Sequence, residues 1–529
     1  MRLKCVRGHE KDQTIATTAK IMRILNYLNH KSLLVITQNV KSLKKRTLST
    51  ALEQPKPYSA IPGLGPLPII GGLHHFLPVI GKIGLPENFA AMTGKLHKEY
   101  GPIVRVERLF PNIADMVMLF EPDHFDQVYR AEDVLPMRPG FKSFTYYREE
   151  FRKERFEGVY GLTTAQGPQW RDFRTKVNPA LLKPKLVKLY APGLDNIAEE
   201  MVARLIKLSA DKTYLRNNFD AEMKKFALES VALVCLGARL GALEDNLTED
   251  HPAEQLRICS KELFDLGFKY ELMPKLLQKF NTRMFNRLMK LLDTQWDISA
   301  KYIEQAKQRI KERGHNIPEE DKSVLEKLLA VDEKVAIMMA NEMLMAGIDT
   351  VALATTVLLY RLATNPKVQD KLREEIRSDD TNKRYLKACL KESLRMNAVI
   401  SANLRMTTRE HIVGGYVIPK GVDVIAPNEY LSRLDKYYPR ASEFIPERWL
   451  TEKTDPLYYG NAHPMITQPF GFGIRSCIGR RIAELEIEIF VQRLINDLKV
   501  SWDGPPMKIV TNVMNNIKKP YCFKFEQVK

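Results

Sequence analysis

A chain of 529 residues with 44% apolar content can bury a large core, and its six cysteines, at 5, 235, 259, 389, 477 and 522, stand singly, which excludes a disulfide framework and a zinc knuckle and suits a reducing compartment. The formal charge of +17 points to an acidic partner or an anionic membrane surface, while the lack of zinc-finger spacing and of basic–aromatic alternation speaks against nucleic acid. No Gly/Ser-rich or Pro-rich linker divides the chain, so one large catalytic unit over 51–529 behind a leader at 1–50 is expected.

Residues 1–52 carry eleven Lys/Arg against only Glu10 and Asp12, and their longest apolar run, Leu33–Ile36, falls far short of the roughly 20 residues a membrane span needs. From Met22 to Thr50 the stretch is basic, free of acids and partly amphipathic, as a mitochondrial transit peptide is, with Lys44-Lys45-Arg46 as a processing region; a plain basic tail has the same composition. Pro55 to Pro68 reads as an extended lead-in, and Ile103–Val106 and Met116–Phe120 as short strands. From Gly167 onward the pattern is helical, with breaks expected at Pro179, Pro184 and Pro192; strand-like pieces return at 411–426 and 507–525. The fold class is mainly α with a minor β-sheet region.

Asp332 can cap a long helix that Asn365-Pro366 ends. Its eighteen central residues, Met343 to Tyr360, are apolar enough for a membrane span, but Asn341, Glu342 and Arg361 at the ends and Asp349 inside mark a buried core helix. Gly347 in mid-helix costs about 1 kcal/mol relative to Ala and implies close approach of a ligand, with Asp349 and Thr350 beside it as proton-handling groups. On Tyr385–Met396, Glu392 and Arg395 stand three apart and can pair. Lys387 and Lys391 form a separate stripe offset by roughly 100° from Glu392.

The loop Pro469–Gly479 holds three glycines, Arg475 and Cys477, and a helical pattern follows from Arg480. A thiolate at a helix N-terminus is stabilised by free N–H groups, glycines admit a flat ligand closely, and the Arg475 fork suits a carboxylate. A phosphate loop would need Lys and Ser/Thr after its last glycine, where Arg480 and Arg481 stand; a phosphatase-like loop would need an arginine where Ala483 stands.

The order Phe470, Gly473, Arg475, Cys477, Gly479 resembles the heme loop of the cytochrome P-450 family. Ala346-Gly347-Ile348-Asp349-Thr350 is similar to that family's oxygen-binding helix. The resemblance covers about residues 55–529 and is closest to the mitochondrial branch, insect members in particular. It implies the P-450 fold, heme b (iron-protoporphyrin IX) and Cys477 as axial iron ligand. Propionate contacts are implied for Trp170, Arg174, Arg405 and Arg475, and a bracing network of Glu392, Arg395 and Arg448 (within Phe444–Trp449) behind the heme loop. It also implies docking of a mitochondrial [2Fe-2S] ferredoxin, reduced by an NADPH-dependent reductase, on Lys387, Lys391, Arg480 and Arg481. The expected activity is insertion of one atom of O2 into a lipophilic small molecule, steroid-like or xenobiotic, by a peripheral protein on the matrix side of the inner membrane. A thiolate-heme isomerase or peroxygenase and a non-catalytic heme-binding protein are the alternatives; the Asp349-Thr350 pair counts against the first. One departure stands out: Met396–Ala402 lacks the prolines the family places there in a loop that lines the substrate pocket.

Overall fold

The computed structural model describes residues 54–67, 71–77, 81–84, 86–109, 114–132, 134–140, 142–271, 282–314, 317–378 and 381–528; the basic leader at 1–50 lies outside them. Pro57–Lys529 is one compact unit. The lead-in is extended apart from one 3-10 turn at Tyr58–Ala60, and Gly63–Leu64 joins a sheet as β1. That sheet has the order β1-β2-β3-β7-β4, with β2 at Ile103–Val106, β3 at Met116–Leu119, β4 at Asn403–Met406 and β7 at Asp423–Ala426. The β1–β2 and β3–β7 pairs are parallel and the others antiparallel. The 411–426 region also contains the hairpin β5 (His411–Val413) and β6 (Tyr416–Ile418). At the C-terminal end β8 (Leu498–Trp502) pairs with β11 (Phe523–Gln527), and β9 (Ile509–Thr511) with β10 (Asn515–Ile517).

Helices α1 (Phe89–Tyr100) and α2 (Pro122–Arg130) pack beside the five-stranded sheet. The helical body follows, with α3 (Gly167–Leu181), α4 (Ala191–Leu208), α5 (Lys212–Leu236), α6 (Pro252–Glu271) and α7 (Arg283–Arg313). Then come α8 (Glu333–Ala363), α9 (Pro366–Arg377), α10 (Arg384–Met396) and, after the Cys477 loop, α11 (Arg480–Asp497). Pro184 and Pro192 open helices, where a missing N–H costs nothing. Pro179 is different: it does not break the chain but sits in the last turn of α3, where one lost hydrogen bond is tolerable and the Leu182 amide still closes on the Asn178 carbonyl at 3.0 Å.

Helix α8 organises the rest. The Asp332 carboxylate caps it by accepting from the Val335 amide at 3.2 Å, and the chain leaves it at Thr364. It runs through the molecule against α5, α6, α7, α10 and α11, and its most apolar stretch is mostly buried, as in a core helix. Its N-terminal half belongs to one apolar cluster with α6 and α7 and its C-terminal half to another with α10 and α11. Each buried Leu, Val, Ile or Met contributes about 1.5–3 kcal/mol.

Candidate active site

The Cys477 loop is built by two glycines in the left-handed region, Gly471 (φ 76°) and Gly473 (φ 64°), where a side chain would be strained. Phe470 closes it through its backbone: its carbonyl accepts from the Cys477 amide at 2.8 Å, while its ring lies 5.2 Å from the Arg480 guanidinium. Gly479 is the N-cap of α11. A Cβ built on Gly473 or Gly479 meets no protein atom within 4 Å, so both leave room for a flat group against the backbone. Among the described residues Cys477 is the exposed cysteine; Cys235, Cys259, Cys389 and Cys522 are buried. Yet burial pushes the Cys477 thiol up, against the opposing pull of the Gly479 amide and of Arg174, Arg138 and Arg480. A side chain that is exposed yet desolvated by the protein around it lies in a recess rather than in bulk water.

Around that recess the structure gathers four guanidinium groups. Arg475 donates to the Pro136 carbonyl at 3.1 Å and to Gln166 Oε1 at 2.7 Å, and its guanidinium stacks 3.9 Å over the ring of buried Trp170. Arg405, on β4, donates to the Phe472 carbonyl at 2.9 Å and pairs with Glu132 at 2.5 Å. Arg174 lies one turn beyond Trp170 on α3 and is buried. The fourth, Arg138, was not legible in the sequence. Gln166 accepts from its backbone amide at 3.2 Å and donates to its carbonyl at 2.8 Å, and its neighbour Met137 bridges to Met406 on the Arg405 strand. Only the three-dimensional fold brings Pro136-Met137-Arg138-Pro139 to the site.

Burial, and then the charges of Arg138, Arg405 and Arg174, drive Arg475 down to about 9, with Glu132 opposing. Arg475 Nη1 and Arg174 Nε are buried without a hydrogen-bond partner. Unpaired buried cations are costly, and charge-assisted bonds to an anion remove the cost. A planar ligand with two carboxylates, resting on Gly473 and Gly479 with its metal at Cys477, fits these residues.

On the facing helix, Ala346 is exposed and Gly347, Thr350 and Leu353 are half-buried, an open patch in the mostly buried middle of α8. The Thr350 hydroxyl donates to the Ala346 carbonyl at 2.9 Å and lies on the open face. Arg138 feels both Cys477 and Glu342, one turn before Ala346, which ties the two openings to one interior region. Gly347 corrects the sequence reading: a Cβ there would meet Val231 Cγ2 at 2.8 Å, so the close approach it permits is that of α5, and the ligand side belongs to Ala346. Asp349 points the other way. One carboxylate oxygen pairs with Lys224 on α5 and the other accepts from the Ser260 hydroxyl on α6, all three residues being buried. Lys224 and Ser260 escape sequence reading because each sits inside a helix with no local motif around it.

Two buried networks hold this frame. Glu342 accepts from Arg148 Nη1 at 2.7 Å and from the Leu162 and Thr163 amides at 2.7 and 3.1 Å, strapping 161–164 across the start of the open patch. Glu392 accepts from Arg395 at 2.8 and 2.9 Å, Arg448 at 2.9 Å and the Trp449 indole at 2.9 Å. The expected trio is therefore present, but its reach differs from expectation. Arg395 donates to the Ser432 and Ala441 carbonyls and Arg448 to that of Pro439, which fixes the segment ahead of the Cys477 loop rather than the loop. The loop's entry is held by Asn403, donating to the Gln468 carbonyl at 3.1 Å and to Asn428, which in turn binds the Met465 carbonyl at 2.7 Å.

On the outer side of α11, Lys387 and Lys391 of α10 flank half-buried Glu488, joined electrostatically by exposed Lys188. Burial raises Glu488 to about 7. Arg480 pairs with Glu484 at 2.9 Å on the same helix, and Arg481 is exposed. Sequence reading missed Lys188, which enters the patch from a separate helix, Pro184–Lys188.

Comparison with known proteins bears on this site. A family model described as Cytochrome P450 matches residues 62–525. The chain is 36% identical over 505 residues to Cytochrome P450 CYP12A2 of Musca domestica, covering 91% of this chain and 93% of that protein. It is 35% identical over 486 residues to Cytochrome P450 12b1, mitochondrial, of Drosophila acanthoptera, covering 87% and 88%.

Proposed function

The chain belongs to the cytochrome P450 family and is a heme monooxygenase; from that premise we propose that it works in the mitochondrion, draws electrons from a [2Fe-2S] ferredoxin and its NADPH-dependent reductase, and oxidises a lipophilic small molecule. The observation that carries the site assignment is the desolvated opening at Cys477, faced by Ala346 and Thr350 and ringed by four arginines. Heme, when bound, supplies the redox chemistry that cleaves dioxygen and transfers one atom to substrate. Cys477 would hold the iron through its sulfur; burial pushes its thiol up in the free chain, and a metal deprotonates a coordinating thiol. Arg138, Arg174, Arg405 and Arg475 would hold the propionates.

Thr350 offers a hydroxyl on the open face, its orientation set by the Ala346 carbonyl. Asp349, held by Lys224 and Ser260 on the far side of the helix, keeps a charged, hydrogen-bonded group next to Thr350 without placing a carboxylate among apolar substrates. Replacing Thr350 by Ala is expected to preserve heme content while product formation falls by roughly 10²-fold, the scale of a lost proton-transfer group, with reducing equivalents appearing as peroxide. Unchanged coupling between NADPH and product would remove Thr350 from this role.

The mitochondrial name of a relative and the basic leader support the location. The cationic patch of Lys188, Lys387, Lys391, Arg480 and Arg481 supports an acidic redox partner approaching from the Cys477 side. Reversing charge at Lys391 and Arg481 together should weaken ferredoxin binding about tenfold at low ionic strength and much less at high salt, where screening acts on both proteins. Equal affinity at every salt concentration would sink the docking face. The whole reading is tested by NADPH consumption and product analysis with purified ferredoxin, its reductase and a panel of steroids, fatty acids and insecticides; no coupled product with any donor would overturn it. Peripheral attachment to the inner membrane from the matrix side belongs to the same proposal.

A further inference from the structure

Of the four guanidiniums around the opening, Arg405 alone meets a carboxylate among the described ion pairs. Glu132, just beyond the end of α2, lies 2.5 Å from it, with the Glu132 side chain 15% exposed and that of Arg405 4% exposed. Burial raises the Glu132 carboxyl, against the pull of Arg405 and of Arg475 behind it. Neither Glu132 Oε1 nor Arg405 Nε has an aligned hydrogen-bond partner, so charge rather than bond geometry joins them. The backbone here is held without that pair. Arg409 donates to the Ala131 carbonyl at 2.8 Å, the Glu132 amide closes on the Tyr129 carbonyl at 3.4 Å, and the Met406 amide donates to the Met137 carbonyl at 3.0 Å. Tyr129, whose ring lies 5.3 Å from the Arg405 guanidinium, donates its hydroxyl to the Asn403 carbonyl at 2.8 Å.

A carboxylate inside a ring of cations that suits carboxylates competes with the ligand the ring would hold. A site shaped for heme affinity alone would leave Arg405 to a neutral acceptor such as the Phe472 carbonyl, which it already reaches at 2.9 Å. Glu342 also acts on Arg138, but its carboxylate is taken by Arg148 and by two backbone amides. The two propionates of a bound heme would neutralise two of the four cations and Glu132 a third, which leaves one positive charge beside the iron. Without Glu132 there would be two. Reduction of the iron adds one electron and breaks no bond; a positive charge nearby favours it and a negative charge opposes it. In a desolvated site that influence is far stronger than in water.

We propose that Glu132 is a resident counter-charge on Arg405 that lowers the reduction potential of the bound heme, so that the first electron is accepted less readily. It is a positioning residue, acting through Arg405 and touching no reacting atom. The inference rests on the reading that the opening at Cys477 holds heme, but its test needs no substrate, turnover or ferredoxin. The holoenzyme is titrated with dithionite in the presence of redox mediators, following the Soret band. A parent protein that takes up no heme would overturn the heme reading itself; the variants of a heme-loaded parent decide the role of Glu132. Glu132→Gln, which keeps the shape and removes the charge, is expected to move the ferric–ferrous equilibrium about tenfold towards ferrous, a positive shift of about 59 mV for one electron. Glu132→Asp, which keeps the charge, should stay within about twofold of the parent, whereas a merely structural role would move both variants alike. A Glu132→Gln equilibrium within about twofold of the parent, a shift towards ferric, or an equal shift in Glu132→Asp would each overturn the proposal. Should Glu132→Gln fail to retain heme, Glu132→Asn measured against Glu132→Asp gives the same comparison of charge at constant shape, with the same positive shift expected and its absence decisive against the proposal.

Discussion

Cys477→Ala is expected to abolish the red-shifted Soret band of the reduced carbon monoxide complex and all coupled oxygenation. The four arginines and the stacked Trp170 remain in this variant, so a propionate-bearing macrocycle still has its electrostatic partners; what disappears is the sulfur that defines the spectrum. The other described cysteines offer no substitute. Burial drives the Cys259 thiol to about 11 and that of Cys389 well above its ordinary value, and Cys235 and Cys522 are likewise enclosed. Cys235→Ala is therefore the matched control and should keep the band. The measurement is heme content together with the absorption spectrum of the reduced carbon monoxide complex. Survival of the red-shifted band in Cys477→Ala would rule out Cys477 as the ligand and, with it, the role assigned to the loop.

How much of this could be read in advance depended on whether the information was local. The bounds of α8 were legible because Asp332 caps a continuous apolar run and Asn365-Pro366 ends it, signals carried by adjacent residues. The Cys477 loop was legible because glycines in the left-handed region and a thiol ahead of a helix form a compact pattern. Arg138, Lys224 and Glu132 were not, because each acquires its meaning from a partner far away in the chain: Lys224 from Asp349, Glu132 from Arg405. Gly347 shows the intermediate case. Its cost in mid-helix correctly announced a close neighbour, but sequence could not say on which side, and the neighbour is Val231. Pro179 shows the reverse, a strong local signal overridden by its position in a last turn.

Glu392→Ala is expected to produce the largest loss of stability of any single substitution outside the Cys477 loop. Glu392 and Arg448 are 0% exposed and Arg395 is 1% exposed, and the carboxylate serves both guanidiniums, the Trp449 indole and the Ile445 amide. Truncation leaves two cations far from water with their carbonyl contacts but no counter-charge. Breaking one buried pair costs about 3–5 kcal/mol, and here one carboxylate closes two pairs, against a total stability of about 5–15 kcal/mol for an ordinary domain. Trp449→Phe removes a single neutral donor from the same carboxylate and should cost only about 1 kcal/mol. The two variants are compared by thermal melting and by the fraction of chain that takes up heme. The expected order is a near-normal Trp449→Phe protein and a Glu392→Ala protein that melts far lower or fails to incorporate heme, because the segment 432–449 that precedes the loop loses its anchor on α10. Equal stability of the two would mean that water or rearranged carbonyls satisfy Arg395 and Arg448, and the network would then be a consequence of the fold rather than one of its supports.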